Sequence, residues 1–335
     1  MTVIISAYNE EDCIENRLRN LLEVDYPADK LNVLIGSDGS QDDTASKVEP
    51  FVSPQIKFVD FENNRGKASV LNDLVEAAQT DLLVFSDANT YFAPNAVRQL
   101  VKHLADDTVV AVSGELRVEE SEQHQESFYW RLEQKMKQSE GELDALLGAN
   151  GAIYALRKSA YSALPPDTII DDFEIVMTAA LCGGRVVYEP SAVAIEEAAP
   201  GLGDEYMRRV RIGLGNYRAM FRHPEYLTRS SFRRAFCYFS HKIVRWLVPL
   251  FLLLALLSSS VLALDSVFFR WVLGAQIIGY ALLLTAFATR TRIQWPSVVQ
   301  LPLHLLTLNL ALAHGFLRFV SGSRGGAWAR TRRDQ

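Results

Sequence analysis

Short apolar runs recur along the first two-thirds of the chain, each closed by a cluster of Gly, Asp or Asn: Val3 to Ala7, Val33 to Ile35, Ile56 to Val59, Leu82 to Phe85 and Val109 to Val112. Each run has the length of a strand. Between them, Ile14, Leu18, Leu21 and Leu22, then Val70, Leu71, Leu74 and Val75, then Val97, Leu100, Val101 and Leu104 recur at helical spacing. Strands without polar alternation are buried on both faces, so alternating strands and helices predict an α/β fold with a mainly parallel, doubly wound sheet. Ligands in such sheets bind beyond the carboxyl ends of the strands, where the polar clusters of this chain fall.

Beyond Tyr226 the pattern changes. Trp246 to Leu264 is uncharged and apolar, Trp271 to Thr289 is a second such stretch, and Ile293 to Leu317 is a third that carries Gln300, His304, Asn309 and His314. A bilayer core needs about 20 apolar residues, which the first two provide. Phe232, Phe236 and Phe239 alternate with Arg233, Arg234 and Lys242, the pattern of an amphipathic helix lying at the membrane interface. The expected organisation is therefore a domain over 1–225, an interfacial segment over 226–245, two to three transmembrane helices over 246–320 and a basic tail over 321–335. Arg290 and Arg292 favour a cytoplasmic loop between the second and third stretches. Three crossings would place the tail, with Arg324, Arg330, Arg332 and Arg333, outside, so an interfacial or re-entrant third stretch stays open.

Composition refines this picture. The 335 residues carry a net charge of -6, which gives no electrostatic reason to expect nucleic acid as a partner. Against that average, Arg208, Arg209, Arg211, Arg218, Arg222, Arg229, Arg233, Arg234, Lys242 and Arg245 form a basic belt ahead of the apolar region, where membrane lipids with anionic headgroups would sit. The three cysteines, Cys13, Cys182 and Cys237, lack the spacing of a zinc site or a disulfide framework and fit a reducing compartment. The first residues run into Asn9, Glu10, Glu11 and Asp12 without the basic start and apolar core of a signal peptide. The expectation is a multi-pass protein of the inner (cell) membrane with a cytoplasmic front domain.

Ala7-Tyr8-Asn9-Glu10-Glu11 closes the first strand and Ser37-Asp38-Gly39-Ser40 the second. Either cluster alone suits a turn with a helix cap. Together, at the ends of successive strands, they favour a nucleotide site. In Ser86-Asp87-Ala88-Asn89, Asp87 and Asn89 occupy alternate positions of an extended segment and can turn two oxygens toward one hard cation. Arg65 and Lys67 flank Gly66 at an expected helix start, where they could meet phosphates.

In order, Ala7-Tyr8-Asn9-Glu10, Ser37-Asp38-Gly39-Ser40, Asn64-Arg65-Gly66-Lys67 and Asp87-Ala88-Asn89 resemble family 2 glycosyltransferases with the GT-A fold. Gly148-Ala149-Asn150-Gly151-Ala152 with Arg157, the pair Asp171-Asp172, and Arg208-Arg209-Val210-Arg211-Ile212 resemble acceptor-side motifs of that family's membrane-bound polysaccharide synthases. The resemblance implies donor binding by Ala7, Tyr8, Asn9, Glu10, Asp38, Lys67 and Asp87, with Asp38 on the nucleoside. It places Asp87 and Asn89 at the family's Asp-x-Asp metal motif, holding Mg2+ or Mn2+, with an uncharged amide in place of the second carboxylate. It makes Asp172 the catalytic base in preference to Asp171, and puts Asp171, Arg208 and Arg211 on the acceptor or pyrophosphate side. Ile212 stands where processive members carry a tryptophan, which weakens the case for polymerisation. The alternative for the arginines is a basic surface helix, and for the aspartates a helix N-terminus.

The chemistry agrees with these roles: inverting sugar transfer needs one carboxylate to take the acceptor hydroxyl proton and electrostatic stabilisation of the departing diphosphate. The expected activity moves a hexose or N-acetylhexosamine from a nucleotide diphosphate sugar to a lipid-linked or polysaccharide acceptor. The competing reading is a catalytically idle sugar-nucleotide-binding subunit of a membrane assembly complex. A pure binding module, however, needs no acceptor-side base such as Asp172.

Overall fold

The computed structural model describes residues 1–118, 124–196, 202–289, 293 and 295–323. Its strands are β1 Thr2–Ala7, β2 Asn32–Asp38, β3 Ile56–Phe61, β4 Leu82–Asp87, β5 Thr90–Phe92, β6 Val109–Val118, β7 Tyr154–Arg157 and β8 Arg185–Glu196. The helices of the same domain are α1 Ile14–Leu22, α2 Thr44–Val48, α3 Lys67–Ala77, α4 Ala96–Val101, α5 His124–Glu142, α6 Asp171–Leu181 and α7 Leu202–Arg222. After them come α8 Glu225–Thr228, α9 Phe232–Cys237, α10 Val244–Leu262, α11 Val267–Thr289 and α12 Ser297–Val320.

One sheet runs in the order β3-β2-β1-β4-β7-β6-β8-β5. Strands β3, β2, β1 and β4 are parallel, β7 is antiparallel to both its neighbours, and β6 and β8 are again parallel. The apolar run Val3-Ile4-Ile5 at the centre of β1 has a direct cause. Val3 and Ile5 pack with Ile14, Leu18 and Leu21 of α1 and Val97 and Leu100 of α4. Ile4 points the other way, onto Val70, Leu71 and Leu74 of α3 and Ile175 and Val176 of α6. Strand order reverses between β1 and β4, and the crevice at their carboxyl ends is where an α/β sheet binds its ligand. The five apolar runs of the sequence all become strands. β5, β7 and β8 escape that reading: β5 has three residues and β7 four, and β8 carries Glu189 and Pro190 inside its span.

A third cluster joins the domain to the apolar region: Phe173 of α6 packs with Tyr217 of α7 and with Tyr226, Tyr238 and Trp246. The segment expected to lie at the interface is continuous in helix with the first span. Phe232–Leu262 is one run of helix of 31 residues, with a π-helical stretch at Tyr238–Ile243. At about 1.5 Å per residue it reaches some 46 Å, longer than a hydrocarbon core of about 30 Å. Its amphipathic face is real: Phe232, Phe236 and Phe239 are exposed, Arg234 and Tyr238 buried.

By length and composition three helices can cross a membrane: Phe232–Leu262, Val267–Thr289 and Val299–Val320. The polar residues of the third stretch do not break it, since α12 is a single helix of 24 residues. The chain is a multi-pass membrane protein with an α/β domain ahead of its spans. Arg290, Arg292 and the tail arginines, on which the topology reading relied, lie outside the described residues.

The basic belt only partly faces outward. Arg218 and Arg222 hold Asp167, Arg234 is buried and donates to the Asp144 carbonyl oxygen, and Lys242 and Arg245 turn inward. Helical phase explains this, because residues spread through a helical segment point in all directions around it.

Candidate active site

The loops after β1 and β2 are stitched into one rim. Asn9 adopts a left-handed backbone (φ 55), which asparagine tolerates, and its Oδ1 accepts from the Gln41 N–H at 2.8 Å. In return, the Asn9 N–H donates to Ser40 Oγ at 3.0 Å and the Glu10 N–H to Thr44 Oγ1 at 2.8 Å. Gly39 is left-handed as well (φ 69), and a Cβ there would come within 2.7 Å of the Asn63 carbonyl carbon. That close approach presses the β2 loop against the segment leading into α3.

Asp38 fastens the same junction. Its carboxylate accepts the Arg65 N–H at 2.7 Å and the Gly66 N–H at 2.8 Å, and the residue is 0% exposed. Burial pushes this carboxyl up, while the two N–H groups and Arg65 pull it down; the balance lies above its ordinary value. Asp38 does not line the cleft, so the arrangement gives it an organising part that its expected nucleoside contact did not anticipate. Arg65 turns away to Asp73 at 2.5 Å and lies over the Phe61 ring, leaving Lys67 as the member of that basic pair in the cleft.

A cleft of about 480 Å³, within the size range of small-molecule sites, opens at the carboxyl ends of β1 and β4. Tyr8, Glu10, Lys67, Asp87, Asn89, Asp171, Asp172, Arg208 and Arg211 all line it. Ala7 does not: it is a core residue, 0% exposed, and Asn9 serves the rim. Lys67, the first residue of α3, reaches Asp87 Oδ1 at 2.8 Å and Asp171 Oδ2 at 3.2 Å. Burial works against charge at Asp87, yet Lys67, Arg208 and Arg211 hold its carboxyl below the ordinary value. The Lys67 ammonium is raised despite its burial, because Asp171, Asp87 and Asp172 surround it.

Asn89 donates its amide N–H to Glu196 Oε1 at 2.8 Å. Glu196, at the end of β8, also lines the cleft, so a carboxylate from a strand remote in sequence stands beside Asn89. Among the described residues no group of three or more His, Cys, Asp or Glu side chains forms a ready-made metal site. The donor set of Asp87, the Asn89 amide and Glu196 nevertheless fits a hard cation that takes most of its oxygens from substrate phosphates and water.

Asp171 and Asp172 open α6 and face different parts of the cleft. Asp171 is 7% exposed and committed to Lys67. Asp172 accepts the Phe173 N–H at 2.9 Å and lies against Gly151, where a Cβ would meet its Oδ2 at 3.4 Å. Burial raises both carboxyls above the ordinary carboxylate value, opposed by Lys67. Arg211 is lowered by burial and by Arg208, and its Nε is buried with no hydrogen-bond partner among the described residues. Ile212 lines the cleft, as does Trp246 from the first turns of the long membrane helix. Sequence reasoning did not single out Glu133, Lys137, Glu196 or Trp246 for this cleft, and it left Lys242 and Arg245 in the outer belt. They come from elements that only folding brings together.

Comparison with known proteins points the same way. The family model for glycosyl transferase family 2 matches residues 2–162. The poly-beta-1,6-N-acetyl-D-glucosamine synthase of Staphylococcus aureus (strain MSSA476) is 29% identical over 231 residues, 66% of this chain and 56% of the relative. The synthase of the same name from Staphylococcus epidermidis is 26% identical over 231 residues, with the same coverage of 66% and 56%. The match thus spans little more than half the length of these relatives. Among solved structures, the mannosyltransferase PcManGT from Pyrobaculum calidifontis, in complex with GDP-Man and Mn2+, superposes with a TM-score of 0.71 at 26% identity. That likeness covers 96% of this chain and 87% of the other, membrane region included. Residues 2–162 are thus similar to glycosyl transferase family 2, and the sheet and cleft have the GT-A fold.

Proposed function

We propose that this protein is an inverting glycosyltransferase that moves a hexose or N-acetylhexosamine from a nucleotide diphosphate sugar to a lipid-linked or polysaccharide acceptor. The observation that carries the reading is the convergence of Asp87, Lys67, Asp171 and Asp172 in one cleft at the strand-order switch point. Residues 1–225 form the catalytic domain, 226–245 lead into the membrane, 246–320 hold the spans and 321–335 the tail. The domain faces the cytoplasm from an inner membrane, where nucleotide sugars are available.

The donor lies across the carboxyl ends of β1 and β4, with Tyr8 and Glu10 on its nucleoside side and Lys67 and Asp87 toward the diphosphate. Ala7, Asn9 and Asp38 serve donor binding by shaping that rim. Asp87 and Asn89, with Glu196 beside them, would hold Mg2+ or Mn2+. The metal, when bound, neutralises charge on the diphosphate as it departs. Asp172 takes the proton of the acceptor hydroxyl, whose oxygen bonds to the anomeric carbon as that carbon's bond to the diphosphate oxygen breaks. A carboxylate whose affinity for protons is raised by burial is a better base at neutral pH than an exposed one. Asp171 holds Lys67 in place, while Arg208 and Arg211 meet the pyrophosphate; the unpartnered Nε of Arg211 is a donor that a phosphate oxygen would satisfy.

The test is a screen of nucleotide diphosphate sugars against membranes carrying the protein, with Mg2+ or Mn2+, reading released nucleoside diphosphate in wild type and Asp172→Asn. Release that requires both metal and Asp172 supports the transferase. Absence of release with every donor, lipid acceptors included, would return the idle binding subunit as the better reading.

A further inference from the structure

Arg17 of α1 is 0% exposed, on the same buried side of the helix as the core residues Ile14, Leu18 and Leu21. Burial works against its charge, so an apolar side chain would occupy this place at less cost. The partners of its N–H groups are neutral. Nη1 donates to Asn20 Oδ1 at 2.7 Å and Nη2 to Ser86 Oγ at 2.8 Å, and the guanidinium carbon lies 4.1 Å from the centre of the Phe92 ring. Arg17 itself does not line the cleft.

Through these partners Arg17 holds both ends of one segment, Ser86 to Phe92. Ser86 precedes Asp87, and its hydroxyl also donates to the Asp87 carbonyl oxygen at 3.2 Å. At the other end Asn20, one turn after Arg17 on α1, binds both backbone groups of Phe92. Its amide donates to the Phe92 carbonyl oxygen at 2.9 Å, and its Oδ1 accepts the Phe92 N–H at 2.7 Å. Asp87 and Asn89 lie between those ends. On the far side, Thr90 to Phe92 pair with Ala194 to Glu196 of β8. The turn that carries the candidate metal oxygens is thus clamped between α1 and β8.

We infer that Arg17 is a positioning residue for this turn: by fixing Ser86 and, through Asn20, Phe92, it sets the placement of Asp87 and Asn89 on which metal-dependent nucleotide binding depends. The inference rests on the metal role proposed for Asp87 and Asn89. A small hard cation tolerates little error in the placement of its oxygens, and the planar fork of a guanidinium fixes two partners at once, which an apolar side chain would not. The same helix reaches the side proposed for the nucleoside, because the Glu10 carbonyl oxygen accepts the Cys13 and Ile14 N–H groups at 3.1 and 2.9 Å.

The full chain in neutral detergent is titrated with GDP, UDP, ADP and dTDP in the presence of Mn2+ and again in EDTA, and the ratio of the two affinities is read for the nucleotide that binds most tightly. In Arg17→Met the gain that Mn2+ gives should fall by about tenfold, while the affinity in EDTA stays within about twofold of wild type. Ser86→Ala, which removes only the hydroxyl, should lose about threefold of the same gain. Arg19→Met, on the exposed face of α1 beside Glu15, should change neither affinity. A merely structural role would lower both affinities together or leave both alone. An undiminished gain in Arg17→Met, an equal loss with and without Mn2+, or a like loss in Arg19→Met overturns the proposal. If Arg17→Met fails to fold, Ser86→Ala decides: a full Mn2+ gain there sinks the positioning role. A wild type that binds no nucleotide, or binds it equally in Mn2+ and EDTA, removes the metal role of Asp87 and Asn89 and the inference with it. A wild-type gain that Arg17→Met and Ser86→Ala both retain removes the positioning role alone.

Discussion

Lys67 Nζ sits 2.8 Å from Asp87 Oδ1 and, with the same ammonium, 3.2 Å from Asp171 Oδ2. One cation therefore ties the end of β4 to the start of α6 across the cleft, between the sides proposed for donor and acceptor. Lys67→Met would remove the ammonium that Asp87 and Asp171 share, leaving Asp87 only the more distant Arg208 and Arg211. It should cost about 3 kcal/mol of stability, the usual cost of breaking a buried pair, and lower donor turnover by at least about a hundredfold. Thermal unfolding in detergent together with nucleoside diphosphate release would check both; an unchanged unfolding temperature would remove the bridging role.

Asp172→Asn should cut transfer by at least about a hundredfold and leave nucleotide affinity near wild type. Full turnover in that variant would remove Asp172 as the base. In the wild type the acid limb of kcat/KM should lie above the ordinary carboxylate range, because burial favours the protonated form.

The same shift has a stability consequence. A carboxyl raised in the folded state binds more protons there than in the unfolded chain, so its contribution is present in acid and is lost as pH rises through the folded value. Asp172→Asn should therefore be at least as stable as wild type at pH 8, with the difference vanishing in acid. A variant markedly less stable at pH 8 would contradict the raised carboxyl.

Asp87→Ala should reduce metal-dependent donor affinity by about tenfold or more, equivalent to about 1.4 kcal/mol, and a chelator should do the same to wild type. Isothermal titration with a nucleotide, with and without Mn2+, separates the two. Equal affinity in both conditions would refute the metal role.

Gly315 of α12 meets α7 backbone to backbone: a Cβ there would lie 2.8 Å from the Leu214 nitrogen and 2.9 Å from the Val210 oxygen. Gly315→Val should push the two helices apart at a cost of about 1–3 kcal/mol and shift Arg208 and Arg211 with α7. The expected result is a higher KM for the donor, measured by release kinetics. An unaltered KM would show that the membrane helix does not set the arginine positions.

Much of the fold was legible because its causes are local. β1, β2 and β4 are buried on both faces, so their central residues are apolar, and polar residues gather at their carboxyl ends beside the cleft. Long uncharged helices declare themselves by the same logic, since lipid excludes charge. The short β5 and β7 were not legible, because three or four residues carry no period.

Local sequence places the candidate side chains: Asp87 at the end of its strand, Asp171-Asp172 opening a helix, the arginines of α7. Their partners come from the packing of the whole domain. Asp38 turned inward onto Arg65 and Gly66, Arg65 left the cleft for Asp73, and Glu196 arrived beside Asn89 from more than a hundred residues away. Lys242 and Arg245, which in sequence look like part of an outward belt, were rotated into the cleft by the phase of a helix anchored through Tyr238 and Trp246 on Phe173. Period and composition follow from contacts close along the chain, whereas pairing depends on the packing of the whole domain, and no single segment encodes it.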